Sequence, residues 1–222
     1  MKKSSIFAAL VLGFTGALAT VPALADSTLY TTLGPGGAYD SSSGWVVTGS
    51  NLGNFVVGNS FSLSSGGTVA DAVLALGIQI GPDSPVSAYI ESDNSGSPGS
   101  ILSSLAQVGT IPSFYDGNGG GLVTFACSGA ACDLPAGSYW LVAVESDPNT
   151  QVAWDMAYGD AETNFAYDYS GSPTGLSVKY TVGDAFQIDE LSGPVVPEPS
   201  SFLLLASGLA GLAGMVRRKL LR

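Results

Sequence analysis

Between Asp26 and Leu191 the apolar residues fall in short runs that alternate with polar ones at a period of two, and clusters of Gly, Ser, Pro, Asn and Asp separate the runs. No stretch of this region sustains a 3.6-residue period, so the pattern predicts strands rather than helices. Strands are expected over Trp45 to Val47, Gly53 to Val57, Ser60 to Leu63, Thr68 to Ile80, Val86 to Ser92 and Ile101 to Val108. Further strands are expected over Gly121 to Cys127, Ser138 to Glu145, Gln151 to Tyr158, Asn164 to Tyr169, Ser177 to Val182 and Ala185 to Leu191. Roughly ten to twelve short strands with turn signals between them imply two packed sheets in an all-β sandwich.

Two segments test that reading. Val69 to Ile78 is rich in Ala and Leu, which favour helix, but its flanks Gly66-Gly67 and Gly81-Pro82 favour a long buried strand. Tyr139-Trp140-Leu141-Val142-Ala143-Val144 follows the turn Pro135-Ala136-Gly137 and is apolar at every position, so both of its faces should be covered. Asp93-Asn94-Ser95-Gly96-Ser97-Pro98-Gly99 concentrates turn-forming residues and should be a tight connection.

The ends of the chain break the alternation. Lys2 and Lys3 precede an apolar stretch from Ile6 to Leu18, and Ala23-Leu24-Ala25 is a small-x-small site, so signal peptidase is expected to cut before Asp26. At the other end Val196-Pro197-Glu198-Pro199 leads into apolar residues 200 to 216 and then Arg217, Arg218, Lys219 and Arg222. Seventeen residues of helix reach about 25 Å, slightly short of a typical hydrocarbon core. The basic residues after it act as a stop-transfer signal that stays in the cytoplasm. Small residues four apart, Ser207 with Gly211 and Ala210 with Gly214, offer a face on which another membrane helix could pack. The expected organisation is a signal peptide over 1–25, an exported β-domain over 26–191, a linker over 192–199, a single transmembrane helix over 200–216 and a basic tail over 217–222.

The Val-Pro-Glu-Pro motif, short apolar helix and basic end resemble the PEP-CTERM sorting signal of Gram-negative bacteria that secrete exopolysaccharide. The resemblance implies that an exosortase-like membrane transpeptidase cuts near Val196 to Pro199, after a transient stay in the inner membrane. An unprocessed C-terminal anchor is the other reading of the same residues.

Charge narrows the choice of partners. Six of the seven basic residues lie in the two ends, leaving Lys179, while all eighteen acids except Glu198 lie in residues 26 to 195. Seventeen carboxylates against one ammonium exclude nucleic acid and anionic lipid surfaces as partners and favour solubility outside the cell. The chain has no histidine, which removes Ser-His-Asp and Cys-His nucleophiles, His-ligated zinc and an imidazole base. Cys127 and Cys132, separated by Ser128-Gly129-Ala130-Ala131, are expected to form a disulfide that clips a turn.

A second resemblance covers most of residues 28 to 191. Tyr89 to Gly99, Leu102, Leu134 to Val142, Trp154 and Ala185-Phe186-Gln187-Ile188 resemble the exported domain called choice-of-anchor R. It implies a jelly-roll-like antiparallel β-sandwich that is found with different C-terminal anchors, and it implies no ligand.

Binding chemistry has two candidate settings. Trp45, Trp154, Tyr158, Tyr167 and Tyr169, with Asp155, Asp160 and Asp168 nearby, would stack sugar rings if they shared a face, and Tyr167 with Tyr169 do so at period two. Trp140 and Trp154 are expected to be core anchors instead, because large aromatics are mostly buried. Asp155, Asp160, Glu162 and Asp168 are oxygen ligands that would suit calcium, although no calcium-loop motif is present and no cofactor is required. Glu91, Glu145, Asp155 and Glu190 cannot be paired across a cleft from sequence, so no catalytic residue is assigned. The expectation is an exported, non-enzymatic structural or adhesive protein of an exopolysaccharide layer. A carbohydrate-binding module and a calcium-stabilised adhesin are its alternatives.

Overall fold

A computed structural model describes residues 27–117, 119–160 and 162–191 of the chain, apart from the side chains of residues 160, 162 and 179–181. The signal-cleavage residues Ala23, Ala25 and Asp26, the signal helix, the Val196-Pro197-Glu198-Pro199 motif, the transmembrane helix and the basic tail lie outside the described residues. Among the described residues no helix is long and apolar enough to cross a membrane.

The described unit is all-β. Its strands are β1 (Ser27–Thr31), β2 (Asp40–Thr48), β3 (Val56–Leu63), β4 (Gly67–Ile80), β5 (Val86–Asp93), β6 (Pro98–Val108) and β7 (Gly121–Ala126). They continue as β8 (Asp133–Leu134), β9 (Gly137–Glu145), β10 (Gln151–Met156), β11 (Glu162–Asp168), β12 (Ser177–Val182) and β13 (Phe186–Glu190). All pairings between these strands are antiparallel.

The two layers are halves of one curled sheet rather than separate sheets. Hydrogen bonds run without interruption in the order β1-β13-β4-β7-β6-β5-β9-β3-β11-β12, with β10 joining β2 to β4. Strand β6 makes the passage: Leu105 and the residues before it pair with β5, while Ala106 to Val108 pair with β7. The halves close on a shared core in which Phe61 of β3 meets Tyr30 of β1 at 5.8 Å and Phe186 of β13 at 6.1 Å between ring centroids.

The Ala- and Leu-rich segment is the central strand β4, paired through β7, β8, β10 and β13. Its neighbours satisfy its backbone and bury Val69, Ala72, Leu74 and Leu76, which outweighs the modest helix preference of its residues. Strand β9 is covered on both faces. Tyr139, Leu141 and Ala143 enter the main core, whereas Trp140 and Val142 join Val56, Ala166 and Leu176 in a second apolar cluster. The predicted turn connects β5 to β6, with the Asn94 N–H bonded to the Ser97 carbonyl at 2.8 Å and both Ser95 and Gly96 at positive φ.

Strand ends shift by up to five residues, as at β2, and the pattern itself differs from expectation at β3, at β1 and at the short β8. Gly53 to Val57 and Ser60 to Leu63 are not two strands; β3 runs unbroken from Val56 through Gly58-Asn59 to Leu63. Gly58 belongs inside it because a Cβ there would lie 3.1 Å from Val142 and 3.5 Å from Leu176, so the missing side chain makes room for the second cluster. Strand β1 was not foreseen; its pairing with β13 gives Ser27 and Thr28 carboxylate partners in Glu190 and Asp189.

Candidate functional site

A line of aromatic rings leads from the core to the surface where β2, β3 and β11 approach one another. Trp45 stacks on Phe165 at 4.5 Å, Phe165 on Tyr167 at 5.9 Å, and Phe55 lies 5.6 Å from Tyr167 and 4.8 Å from Tyr169. Tyr167 and Tyr169 are themselves neighbours at 5.8 Å, ring edge to ring face. Exposure rises along this line: Phe165 is buried, Tyr167 half-buried and Tyr169 66% exposed. Tyr169 therefore offers an open aromatic ring whose position is fixed by Phe55 and Tyr167.

The wider aromatic surface considered from sequence does not form. Trp154 is fully buried and donates its indole N–H to the Ala185 carbonyl at 2.9 Å, and Trp140 is likewise buried, so both are core anchors. Tyr158 is exposed but lies over Gly34 rather than beside Tyr169. Asp168, next to Tyr169 in sequence, accepts from the Ser170 N–H at 2.7 Å and from the Ser170 hydroxyl. Those bonds hold its carboxyl below the usual carboxylate range.

Of the four oxygen ligands proposed from sequence, Asp155 and Asp168 stand in different settings, and the side chains of Asp160 and Glu162 are outside the described residues. Among the described residues no group of three or more acids is arranged to hold a metal ion. What approaches Asp155 is Asp184. The backbone ties the two segments together: the Ala185 N–H donates to the Asp155 carbonyl at 2.7 Å, the Ala157 N–H to the Gly183 carbonyl at 2.8 Å, and Met156 bridges Asp184. Both Asp155 and Asp184 are fully buried.

Asn59 in the middle of β3 orients Asp184. Its Nδ2 donates to Asp184 Oδ2 at 2.7 Å, while its Oδ1 accepts from the Asp184 N–H at 3.0 Å and the Thr163 hydroxyl at 3.2 Å. Asp184 Oδ1 and both carboxylate oxygens of Asp155 are buried without a hydrogen-bond partner. Burial, and then the charge of nearby Asp40, pushes the Asp155 carboxyl up to about 8. Burial also raises Asp184 well above its ordinary value, against the Asn59 bond and the Trp45 backbone N–H, which lower it, and the Asp155 charge adds a smaller push upward.

Sequence reasoning missed Asp184 and Asn59. The available signal was a carboxamide at period two between the core residues Val57 and Phe61, since such a group must find polar partners when buried. Three other acids are buried elsewhere among the described residues: Glu91, Glu145 and Asp189, the last accepting from the Thr28 hydroxyl at 3.0 Å and the Gln187 amide at 2.8 Å. Glu145 accepts from the Ser84 hydroxyl and the Asp147 N–H, both at 2.7 Å, whereas both oxygens of Glu91 lack a partner.

Cys127 and Cys132 form the expected disulfide, closing the connection from β7 to β8 around the short 3-10 turn Ala130–Cys132. The hydroxyl of Ser103 lies 3.1 Å from Cys127 Sγ, which seats the clip against β6.

The fold thus defines an all-β, disulfide-clipped domain with a surface aromatic, Tyr169, supported by neighbouring rings, and two buried acids, Asp155 and Asp184, on adjoining segments. Residues 195–219 match the PEP-CTERM protein-sorting motif. The chain therefore carries an exosortase sorting signal, which marks an exported protein held transiently at the membrane before it reaches the surface or the extracellular space. No curated protein and no solved structure matches the chain.

Proposed function

We propose that the exported β-domain is a non-enzymatic structural or adhesive component of an extracellular polysaccharide layer, delivered there by its C-terminal signal. The sorting motif at residues 195–219 is the observation that carries this reading. Its support is chemical: the exported part combines a high density of carboxylates with the absence of histidine. The curled sheet is compatible with the jelly-roll-like choice-of-anchor R resemblance, in which a common β-domain is combined with different anchors. In this reading signal peptidase acts before Asp26 and an exosortase-like transpeptidase acts within Val196 to Pro199.

The test is to compare cells with and without the gene for retention of polymer at the surface, and to measure intact masses of the protein from medium and membranes. Loss of matrix cohesion together with a mature chain ending near Pro197 to Pro199 supports the proposal. An unaltered matrix, or a chain that keeps Arg222, counts against the structural role or the processing step respectively.

A carbohydrate-binding role is the second reading, and the exposed, well-supported ring of Tyr169 favours it. Affinity electrophoresis in the producing cells' own polysaccharide separates the two. Retardation that is lost in Tyr169→Ala assigns binding to this ring, and migration independent of the polymer leaves the structural reading alone.

A further inference from the structure

We propose that Tyr169 and Asn54 together form a site for an uncharged pyranose of a polysaccharide chain, a proposal that rests on the carbohydrate-binding reading and names its ligand class. Tyr169 is the platform: its ring is 66% exposed, lies 4.8 Å from Phe55 and meets Tyr167 edge to face at 5.8 Å. A ring held by two others meets a sugar with little rotamer freedom left to lose, and the C–H face of a pyranose is apolar enough to stack on it.

Asn54 brings the polar half of the site. Its φ is positive, at 56°, and its N–H donates to the Gly49 carbonyl at 3.1 Å. The following N–H, that of Phe55, donates to the Thr48 hydroxyl at 2.8 Å, so the segment that supports Tyr169 also fixes Asn54. The carboxamide packs on Gly171, two residues beyond Tyr169, where any Cβ would collide with it. Asn54 is half-buried, and among the described residues no hydrogen bond uses its carboxamide. Glycine would suit the positive φ at least as well, so the amide is what asparagine adds here. A carboxamide both donates and accepts, which matches a pair of neighbouring sugar hydroxyls.

Charge sets the ligand class. Lys179 is the single basic residue between Asp26 and Val195, and it is registered opposite Phe165, four residues before Tyr169 at the inner end of the aromatic line. Asp168 alternates with Tyr167 along β11, on the side of Ala166 and the second apolar cluster, and Ser170 engages it there. No basic side chain is therefore at hand for a uronate, sulfate or phosphate, and the seventeen carboxylates of the exported part repel such groups. A neutral pyranose meets neither obstacle.

The test is affinity electrophoresis of the mature protein from culture medium, in gels containing the producing cells' polysaccharide split by anion exchange into a neutral and an acidic pool. The neutral pool should retard the protein equally at low and high salt, and the acidic pool should not retard it. Tyr169→Ala should weaken the interaction about tenfold or more, and Asn54→Gly, which keeps the positive φ, about three- to tenfold, while Tyr169→Phe retains it. Retardation by the acidic pool alone that is lost in Tyr169→Ala overturns the neutral class and leaves the carbohydrate-binding reading standing. Neutral binding that is unchanged in Asn54→Gly overturns the pairing of the two residues, and retardation by neither pool overturns the carbohydrate-binding reading with it. The wild-type comparison of the pools decides the ligand class even if a variant fails to fold.

Discussion

Asp93 accepts the indole N–H of Trp140 at 2.8 Å, joining the end of β5 to the fully buried tryptophan of β9. The second carboxylate oxygen of Asp93 accepts the Gly96 N–H at 3.0 Å, so one side chain satisfies the indole and closes the hairpin turn. Asp93→Ala should destabilise the protein by about 1–3 kcal/mol, because it leaves a buried donor unpaired. Asp93→Asn keeps an oxygen acceptor within the same reach and should lose less than half of that. Urea unfolding followed by tryptophan fluorescence provides the comparison; equal losses in the two variants would show that the indole bond is not what Asp93 contributes.

The disulfide makes a different kind of contribution. Cys127 and Cys132 close a small loop, so constraint of the unfolded chain supplies only about 2 kcal/mol. Replacing both by Ala should lower the melting temperature by roughly 4–8 °C in a domain of this size and leave the far-ultraviolet circular dichroism unchanged. Collapse of the β-signal at room temperature in the double variant would mean that the clip organises the fold rather than trimming its unfolded state.

Gly77 is where a loop lies down on the sheet. The Ile78 N–H donates to the Pro112 carbonyl and the Phe114 N–H to the Ile78 carbonyl, both at 2.9 Å, so the loop takes over the edge of β4 beyond β7. A Cβ on Gly77 would stand 2.6 Å from the Gly119 carbonyl oxygen and 3.0 Å from the Phe114 and Gly120 Cα atoms. Gly77→Ala must therefore lift backbone rather than a side-chain tip, at a cost on the order of 1–3 kcal/mol. Hydrogen exchange should show faster exchange at Ile78 and Phe114 in particular. Uniform acceleration across the sheet, or none, contradicts this account of the loop.

Several of these features could be read from sequence because they depend on local pattern. Alternation in β4 to β7 and apolar continuity in β9 placed the strands, and the seven turn residues from Asp93 to Gly99 placed a hairpin. Strand β1 escaped because Ser27 and Thr28 carry no hydrophobic period; their partners Glu190 and Asp189 lie at the other end of the domain. The two buried acids were half legible for the same reason. Asp155 sits beside Trp154 in a recognisable strand, but Asp184 joins that strand through an isolated bridge to Met156 and is bonded by Asn59 from a third strand, contacts that no local spacing encodes. Period two correctly put Tyr167 and Tyr169 together, yet their different burial depends on Phe55, which arrives from the segment before β3.

The dependence of stability on pH can be assigned in part to Glu91. Burial raises its carboxyl from 4.5 to about 7, and neither oxygen has a hydrogen-bond partner to counter that. Between those values the folded chain retains a proton that the unfolded chain has released. The contribution to stability is therefore fully present below pH 4.5 and is lost as pH rises through about 7. Asp40 and Asp168 act oppositely, since hydrogen bonds from Ser42 and Ser170 lower their values and their contributions disappear as acid protonates them. Glu91→Gln removes the ionisable group while keeping its shape, so the variant should match the wild type near pH 4.5 and exceed it in melting temperature by several degrees at pH 8. Taking the difference between variant and wild type at each pH cancels the contributions of the other acids. A difference that stays constant from pH 4.5 to 8 would show that Glu91 does not titrate in this window.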